Sequence, residues 1–170
     1  MERVTARSVP FEPTVHDAQS FDCGHAGMNT WLLRHADRAR RMGTAHTFVL
    51  ARGARVLAYH SLVASSVAKE SVPNSLAHGS PETVPAWLVA RLAVDLSEQG
   101  KGTGHATLLD ALGRLVLASN RGPAARLVVV DAVDGRAFRF YEKFGFVPAP
   151  RHGDRLFMKM STVRGMFTPG

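Results

Sequence analysis

Met28, Trp31, Leu32, His35, Ala39 and Met42 recur at helical spacing, and Asp22 with the glycines at 24 and 27 supplies start signals just upstream. The pattern predicts a helix over about Ala26 to Arg41, ended by Gly43, with Arg34, Arg38 and Arg41 on its opposite face. Two stretches rich in β-branched and apolar residues follow, Thr44 to Ala51 and Arg55 to Val67, and Arg52-Gly53-Ala54 between them is a hairpin turn. Lys69 to Pro85, with prolines at 73, 81 and 85, is expected to be an irregular loop holding at most a short helix.

Trp87 to Asp95 alternates as a strand, with Leu88, Ala90, Leu92 and Val94 on one face and Val89, Arg91 and Ala93 on the other. After a glycine cluster, Leu108, Leu109, Leu112, Leu115 and Val116 form the stripe of a helix beginning near Thr103. Ala125 to Asp131 is a short apolar run of the kind found in a strand covered on both faces. Asp134 is placed to cap a last helix that buries Ala137, Phe140, Tyr141 and Phe144, and Gly145 stops it before two short strands, Phe146 to Val147 and Arg155 to Met160. This order of elements specifies an α/β fold built on a mixed sheet. With 170 residues, 45% of them hydrophobic, and no repeat or linker, one domain over residues 1–170 is expected.

Lys and Arg number 21 against 14 Asp and Glu, a formal charge of +7, which attracts polyanions: nucleic acid, acyl-CoA phosphates or an acidic protein. The single cysteine, Cys23, cannot form an internal disulfide and is expected to be a small buried hydrophobe. No leader-like or membrane-spanning run is present, so a reduced, cytoplasmic location is expected. None of the eight histidines lies three or four residues from another and no Cys-x-x-Cys occurs, so no metal site is expected.

The glycine cluster, Gln99-Gly100-Lys101-Gly102-Thr103-Gly104, lies between a strand and an amphipathic helix, where unpaired backbone N–H groups and the helix dipole favour an anion. Its spacing fits neither a P-loop, which needs Gly-x-x-x-x-Gly-Lys-Ser/Thr, nor a Gly-x-Gly-x-x-Gly dinucleotide turn placed directly after the strand. A coenzyme A pyrophosphate site and a plain helix-start loop remain.

The cluster resembles the Gln/Arg-x-x-Gly-x-Gly/Ala signature of the GNAT superfamily of N-acetyltransferases, and Phe140-Tyr141-Glu142-Lys143-Phe144-Gly145-Phe146 resembles that superfamily's Phe-Tyr-Glu-Lys-x-Gly-Phe segment. The resemblance implies a GNAT fold, a twisted, mostly antiparallel mixed sheet flanked by helices, with acetyl-CoA as co-substrate. It also implies that the backbone of Leu92, Ala93 and Val94 holds the pantetheine and acetyl group, that the turn from Gln99 to Gly104 holds the pyrophosphate, and that Tyr141 protonates the departing thiolate. From periodicity alone, Tyr141 reads more readily as a core aromatic, and the resemblance reverses that order. Glu98 and Glu142 are near enough in sequence to serve as a base, but both read more easily as solvated surface charges.

Phe21-Asp22-Cys23-Gly24, Met28-Asn29-Thr30-Trp31-Leu32, Tyr59-His60-Ser61-Leu62 and Ala90-Arg91-Leu92-Ala93-Val94-Asp95 occur in that order and resemble the GNAT toxins of bacterial type II toxin-antitoxin modules. Two positions depart: Ala58-Tyr59-His60 stands where that family often has Gly-Tyr-Tyr, and Met28 where it often has leucine. The family acetylates the α-amine of aminoacyl-tRNA, so the resemblance implies that substrate, a ribbon-helix-helix antitoxin and a homodimer. A tRNA substrate would use the positive charge, with Arg34, Arg38, Arg41 and Arg91 as candidate contacts. An acetyltransferase acting on a small amine or protein terminus, and a non-catalytic nucleic-acid-binding module, are the competing readings.

Overall fold

The computed structural model describes residues 7–151 and 153–169. Its strands are β1 (Val9–Pro10), β2 (His46–Arg52), β3 (Arg55–Ala68), β4 (Thr83–Val94), β5 (Leu127–Asp131), β6 (Val147–Pro148) and β7 (Arg155–Lys159). They form a seven-stranded sheet in the order β1-β2-β3-β4-β5-β7-β6. β4 and β5 are parallel, whereas β1 with β2, β2 with β3, β5 with β7 and β6 with β7 are antiparallel, giving the mixed, mostly antiparallel sheet that was expected. The helices are α1 (Ala26–Arg34), α2 (Ala36–Met42), α3 (Asn74–Ala77), α4 (Thr103–Arg121), α5 (Gly135–Phe144) and α6 (Met160–Phe167). The described residues fall into two compact units, one comprising those up to Val63 with Arg91–Ala111, the other Ala64–Ala90 with those from Leu112.

In the first unit Phe11, Phe21, Leu32, Ala36, Val49, Tyr59 and Ala93 form a buried cluster, against which Met28 and Trp31 pack. The single helix expected from Ala26 to Arg41 is two helices, because His35 leaves helical geometry at φ −120°, ψ −24°. The break re-aims the apolar stripe: Leu32 and Ala36 are buried at a spacing of four, while His35 is exposed and Met42 is 67% exposed. Gly43 ends α2 in the left-handed region at φ 72°, as expected.

A polar chain crosses this unit. His60 of β3 is fully buried and its Nε2 lies 2.9 Å from Asp110 Oδ2 of α4. Asp110 also accepts hydrogen bonds from the backbone N–H and the hydroxyl of Ser8, the residue preceding β1. Neither the two-residue strand β1 nor this chain is foreseen from hydrophobic pattern, which carries no information about pairs 50 and 102 residues apart.

The second unit is built on Val67, Val72, Ala77, Val84, Ala86, Leu127, Val129 and Phe157. The expected loop contains a 3₁₀ turn at Lys69–Ser71 and the single-turn α3, and β4 starts at Thr83 instead of Trp87. Pro85 is accommodated there because it precedes the first register pair with β5, Ala86 with Leu127, and contributes its carbonyl to the Arg126 N–H at 2.9 Å. The last strand stops at Lys159, and Met160 opens α6 in place of the strand end expected there. Ser161, Thr162, Val163 and Gly165 are weak helix formers, and burial of Met160 and Val163 one turn apart overrides them.

Burial by itself would raise the Asp110 carboxyl, but the hydrogen bonds from His60 and Ser8 outweigh it and hold the group at about 2, below its usual 3.8. A depressed carboxylate stabilises the fold above its unfolded value and loses that contribution as pH falls through the folded one. The Asp110 contribution, roughly 2 kcal/mol, is therefore present at neutral pH and lost between about pH 4 and pH 2. Denaturant titrations at pH 7, 4 and 2.5 are expected to show Asp110→Asn destabilised at pH 7 and the difference from wild type shrinking at pH 2.5; a pH-independent difference would refute this assignment.

Candidate active site

The parallel register between β4 and β5 covers Ala86 to Val89 and stops there, while β4 continues to Val94. The chain then turns under the control of Asp95. Its carboxylate, 8% exposed, accepts from Asp22 N–H at 2.9 Å, Ser97 N–H at 3.0 Å and Ser97 hydroxyl at 2.6 Å, with Arg55 3.7 Å away. Burial pushes this carboxyl up, and the bonds from Asp22 and Ser97 overcome it and lower it. The Asp95 N–H meanwhile donates to Leu57 O and the Leu96 N–H to Asp22 O.

Gln99 belongs to the same fastening. Its amide donates to Val94 O at 2.9 Å and Cys23 O at 3.1 Å, so the side chain braces the turn from behind. Gly100 and Gly102 have φ of 76° and 82°, the left-handed region, and a Cβ built on either would meet nothing within 4 Å. Lys101 between them is exposed, and α4 starts at Thr103 with Gly104 in its first turn. A backbone of this shape, open on its outer side and leading into the positive end of a 19-residue helix, suits an anion with several oxygens. Glu98 departs from its expected solvated state and is buried at 8% exposure.

Leu92 and Val94 are half-buried and Ala93 is buried. Beside them, the Arg91 guanidinium sits 4.0 Å over the Trp31 ring, and Trp31 stacks on Tyr59 with centroids 6.2 Å apart. The Tyr59 hydroxyl donates to Met28 O at 2.8 Å. Arg34 and Arg38 are exposed, on α1 and α2 respectively, so the break at His35 divides the expected arginine stripe. Arg41 is also exposed but bonds Asp37 at 3.1 Å, which Arg40 shares at 2.9 Å. Cys23 is buried and burial pushes its thiol up, consistent with a packing role.

Tyr141 belongs to the second unit. Asp134 caps α5 by accepting the Ala137 N–H at 2.7 Å, and Gly145 stops it at φ 123°, both as expected. Of the expected buried face only Tyr141 is fully covered, at 4% exposure; Ala137, Phe140 and Phe144 are half-buried. The Tyr141 ring meets Phe140 and Phe146 edge-on at 5.4 and 5.7 Å. Its hydroxyl has no hydrogen-bond partner among the described residues, unlike that of Tyr59. Burial, with a smaller effect from Asp131, pushes the phenol well above its usual range, so it is fully protonated at neutral pH. Glu142 is exposed. Among the described residues no group of three His, Cys, Asp or Glu converges to hold a metal, and no helix is long and apolar enough to cross a membrane.

The chain is 33% identical over 150 residues to the tRNA-acetylating toxin of Mycobacterium tuberculosis, covering 88% of this chain and 90% of that protein. Among solved structures it matches AtaT complexed with acetyl-methionyl-tRNAfMet at a TM-score of 0.86 and 27% identity, over 95% of this chain and 98% of that one. It also matches a tyrosine-to-phenylalanine mutant of AtaT bound to acetyl-CoA and the C-terminus of the antitoxin AtaR, at a TM-score of 0.81 and 25% identity, over 95% and 98%. No protein-family model matches the chain. Likeness to the mycobacterial toxin along nearly the whole of both chains, on a fold shared with AtaT, places this chain in the family of GNAT acetyltransferase toxins of type II toxin-antitoxin systems.

Proposed function

We propose that this protein transfers the acetyl group of acetyl-CoA to the α-amine of an aminoacyl-tRNA, and so blocks translation, as one catalytic domain acting in the cytoplasm. The observation that carries the chemical half of this reading is Tyr141: a buried, protonated phenol whose hydroxyl no described residue engages. A merely structural buried tyrosine is expected to satisfy its hydroxyl, as Tyr59 does.

Bound acetyl-CoA would supply an acyl group already activated as a thioester. The N–H groups from Gln99 to Gly104 would take its pyrophosphate, with Lys101 adding charge; the positive-φ turn with open space beside both glycines supports this. The backbone of Leu92, Ala93 and Val94, beyond the last β5 partner, would orient pantetheine amides. The acceptor nitrogen bonds to the carbonyl carbon as the C–S bond breaks, Tyr141 gives its proton to the sulfur, and the proton leaving the nitrogen restores the phenol through water. An α-amino group, with a pKa of about 8, is partly neutral at pH 7, so neither Glu98 nor Glu142 is required as a base.

On this reading Arg34, Arg38, Arg41 and Arg91 contact tRNA phosphates. The family's partner chemistry adds a ribbon-helix-helix antitoxin that neutralises the enzyme, and a homodimer.

Tyr141→Phe is expected to lower turnover by about 10²-fold or more while leaving the fold and the acetyl-CoA Kd unchanged; unchanged kinetics would remove Tyr141 from the chemistry. Gly100→Ala and Gly102→Ala each force an alanine into the left-handed region at about 1–2 kcal/mol, and calorimetric titration is expected to show weaker acetyl-CoA binding without loss of the folded state. Labelled acetyl-CoA is expected to mark charged but not uncharged tRNA; label passing only to a polyamine or peptide would defeat the tRNA assignment. Reversing Arg34, Arg38 and Arg41 to glutamate together should raise KM for charged tRNA about tenfold and flatten its salt dependence.

A further inference from the structure

In the second unit a cleft of about 360 Å³ opens beside the start of α6, lined by Pro85, Arg126, Lys159, Met160, Ser161 and Arg164 among others, none of them acidic. Some arginines elsewhere are paired with acids, Arg40 and Arg41 with Asp37, Arg55 with Asp95 and Arg155 with Asp131, and others such as Arg34 and Arg52 stand singly on the surface. Among the described residues, Arg126, Lys159 and Arg164 have no such partner. Three uncompensated cations around one cleft repel one another, and an anion removes that penalty.

The donors are held in place. Arg126 is fixed by its backbone, whose N–H donates to Pro85 O and whose carbonyl accepts from Met160 N–H, both at 2.9 Å. One end of its guanidinium donates to His78 O at 2.6 Å, while its Nε is buried with no partner. A buried N–H left unbonded costs on the order of 1–3 kcal/mol, so the Arg126 side chain is incompletely satisfied by its own chain. Lys159, opposite Leu127 in the β5–β7 register, stands at the N-cap of α6, and no side chain caps that end. Guanidinium and ammonium groups gathered beside a helix N-terminus that no side chain caps suit a phosphate oxyanion.

We propose that this cleft docks a backbone phosphate of RNA, as a second anchoring point for the tRNA substrate; the inference rests on the tRNA reading above. Deacylated tRNA binding by the full chain, measured by fluorescence polarisation across a salt series, tests it. K159Q/R164Q spares Arg126, which also supports the His78 turn, and R164Q alone serves if the double variant does not fold. The charge-matched control is R52Q/R151Q, at exposed positions outside the cleft.

The cleft variant is expected to reduce the slope of log K against log salt by about 1–2 and to weaken binding about tenfold beyond the control, with the acetyl-CoA Kd unchanged. A slope equal to that of the control overturns the proposal. Inorganic phosphate at fixed ionic strength should compete with tRNA on wild type but not on the variant; phosphate binding alongside an unmoved tRNA slope assigns the cleft to a free anion and also overturns it. So does a variant that loses binding to polyglutamate but keeps its tRNA slope. Acetyl transfer to charged tRNA by wild type, assayed in parallel, separates the two readings: transfer with an unmoved slope sinks the cleft alone, and a lowered slope without transfer sinks the acetylation while leaving the cleft.

Discussion

Asp95 stands at the end of β4 with its carboxylate inside the first unit, where an unpaired charge would cost several kcal/mol. The three hydrogen bonds it accepts and the nearby Arg55 remove that cost, and together they draw three segments into place. Asp22 brings the stretch leading into α1, Ser97 the 3₁₀ turn, and Arg55 the start of β3. Gln99 then spans Val94 and Cys23, closing the loop from inside. With those contacts in place Gly100 and Gly102 have one path available, and that path delivers the chain to the start of α4. The backbone of the glycine turn is therefore shaped by the side chains of Asp95 and Gln99.

Much of this was legible from residues alone, and the misses share a cause. The strand, the glycine turn, α4, β5 and the capped α5 were found because each has a local signature: alternation, positive-φ glycines, an apolar stripe, an Asp at the N-cap. The restart at His35, the strand β1 and the helix α6 have none. α6 exists because burial of Met160 and Val163 overrides weak local preference, whereas β1, both of whose residues are exposed, rests on its pairing with β2, and the break at His35 is set where Leu32 and Ala36 are buried on either side of it. Glu98 is a further case: charged residues are mostly solvated, so a rule of composition placed it outside.

The two tyrosines show where pattern stops discriminating. Tyr59 and Tyr141 both lie on apolar stripes, are both buried, and both have phenols raised by burial. Only the hydrogen bond separates them. Tyr59 donates to Met28 O and completes a stack with Trp31 and Arg91, whereas the Tyr141 hydroxyl is left uncommitted by its own chain. Stripe position identifies which aromatic rings are covered; whether the polar tip is bonded is a tertiary fact that pattern does not carry.

His60 is wholly enclosed, held by an acid on α4 that also grips Ser8. A buried histidine without that acid, or the acid without the histidine, would leave a polar group stranded in the core. Positions 8, 60 and 110 thus form one polar unit: loss of the histidine or of the carboxylate strips the other of its buried partner. A substitution at any one of the three is therefore felt at the other two, and how well it is tolerated depends on how much stability the rest of the fold can spare.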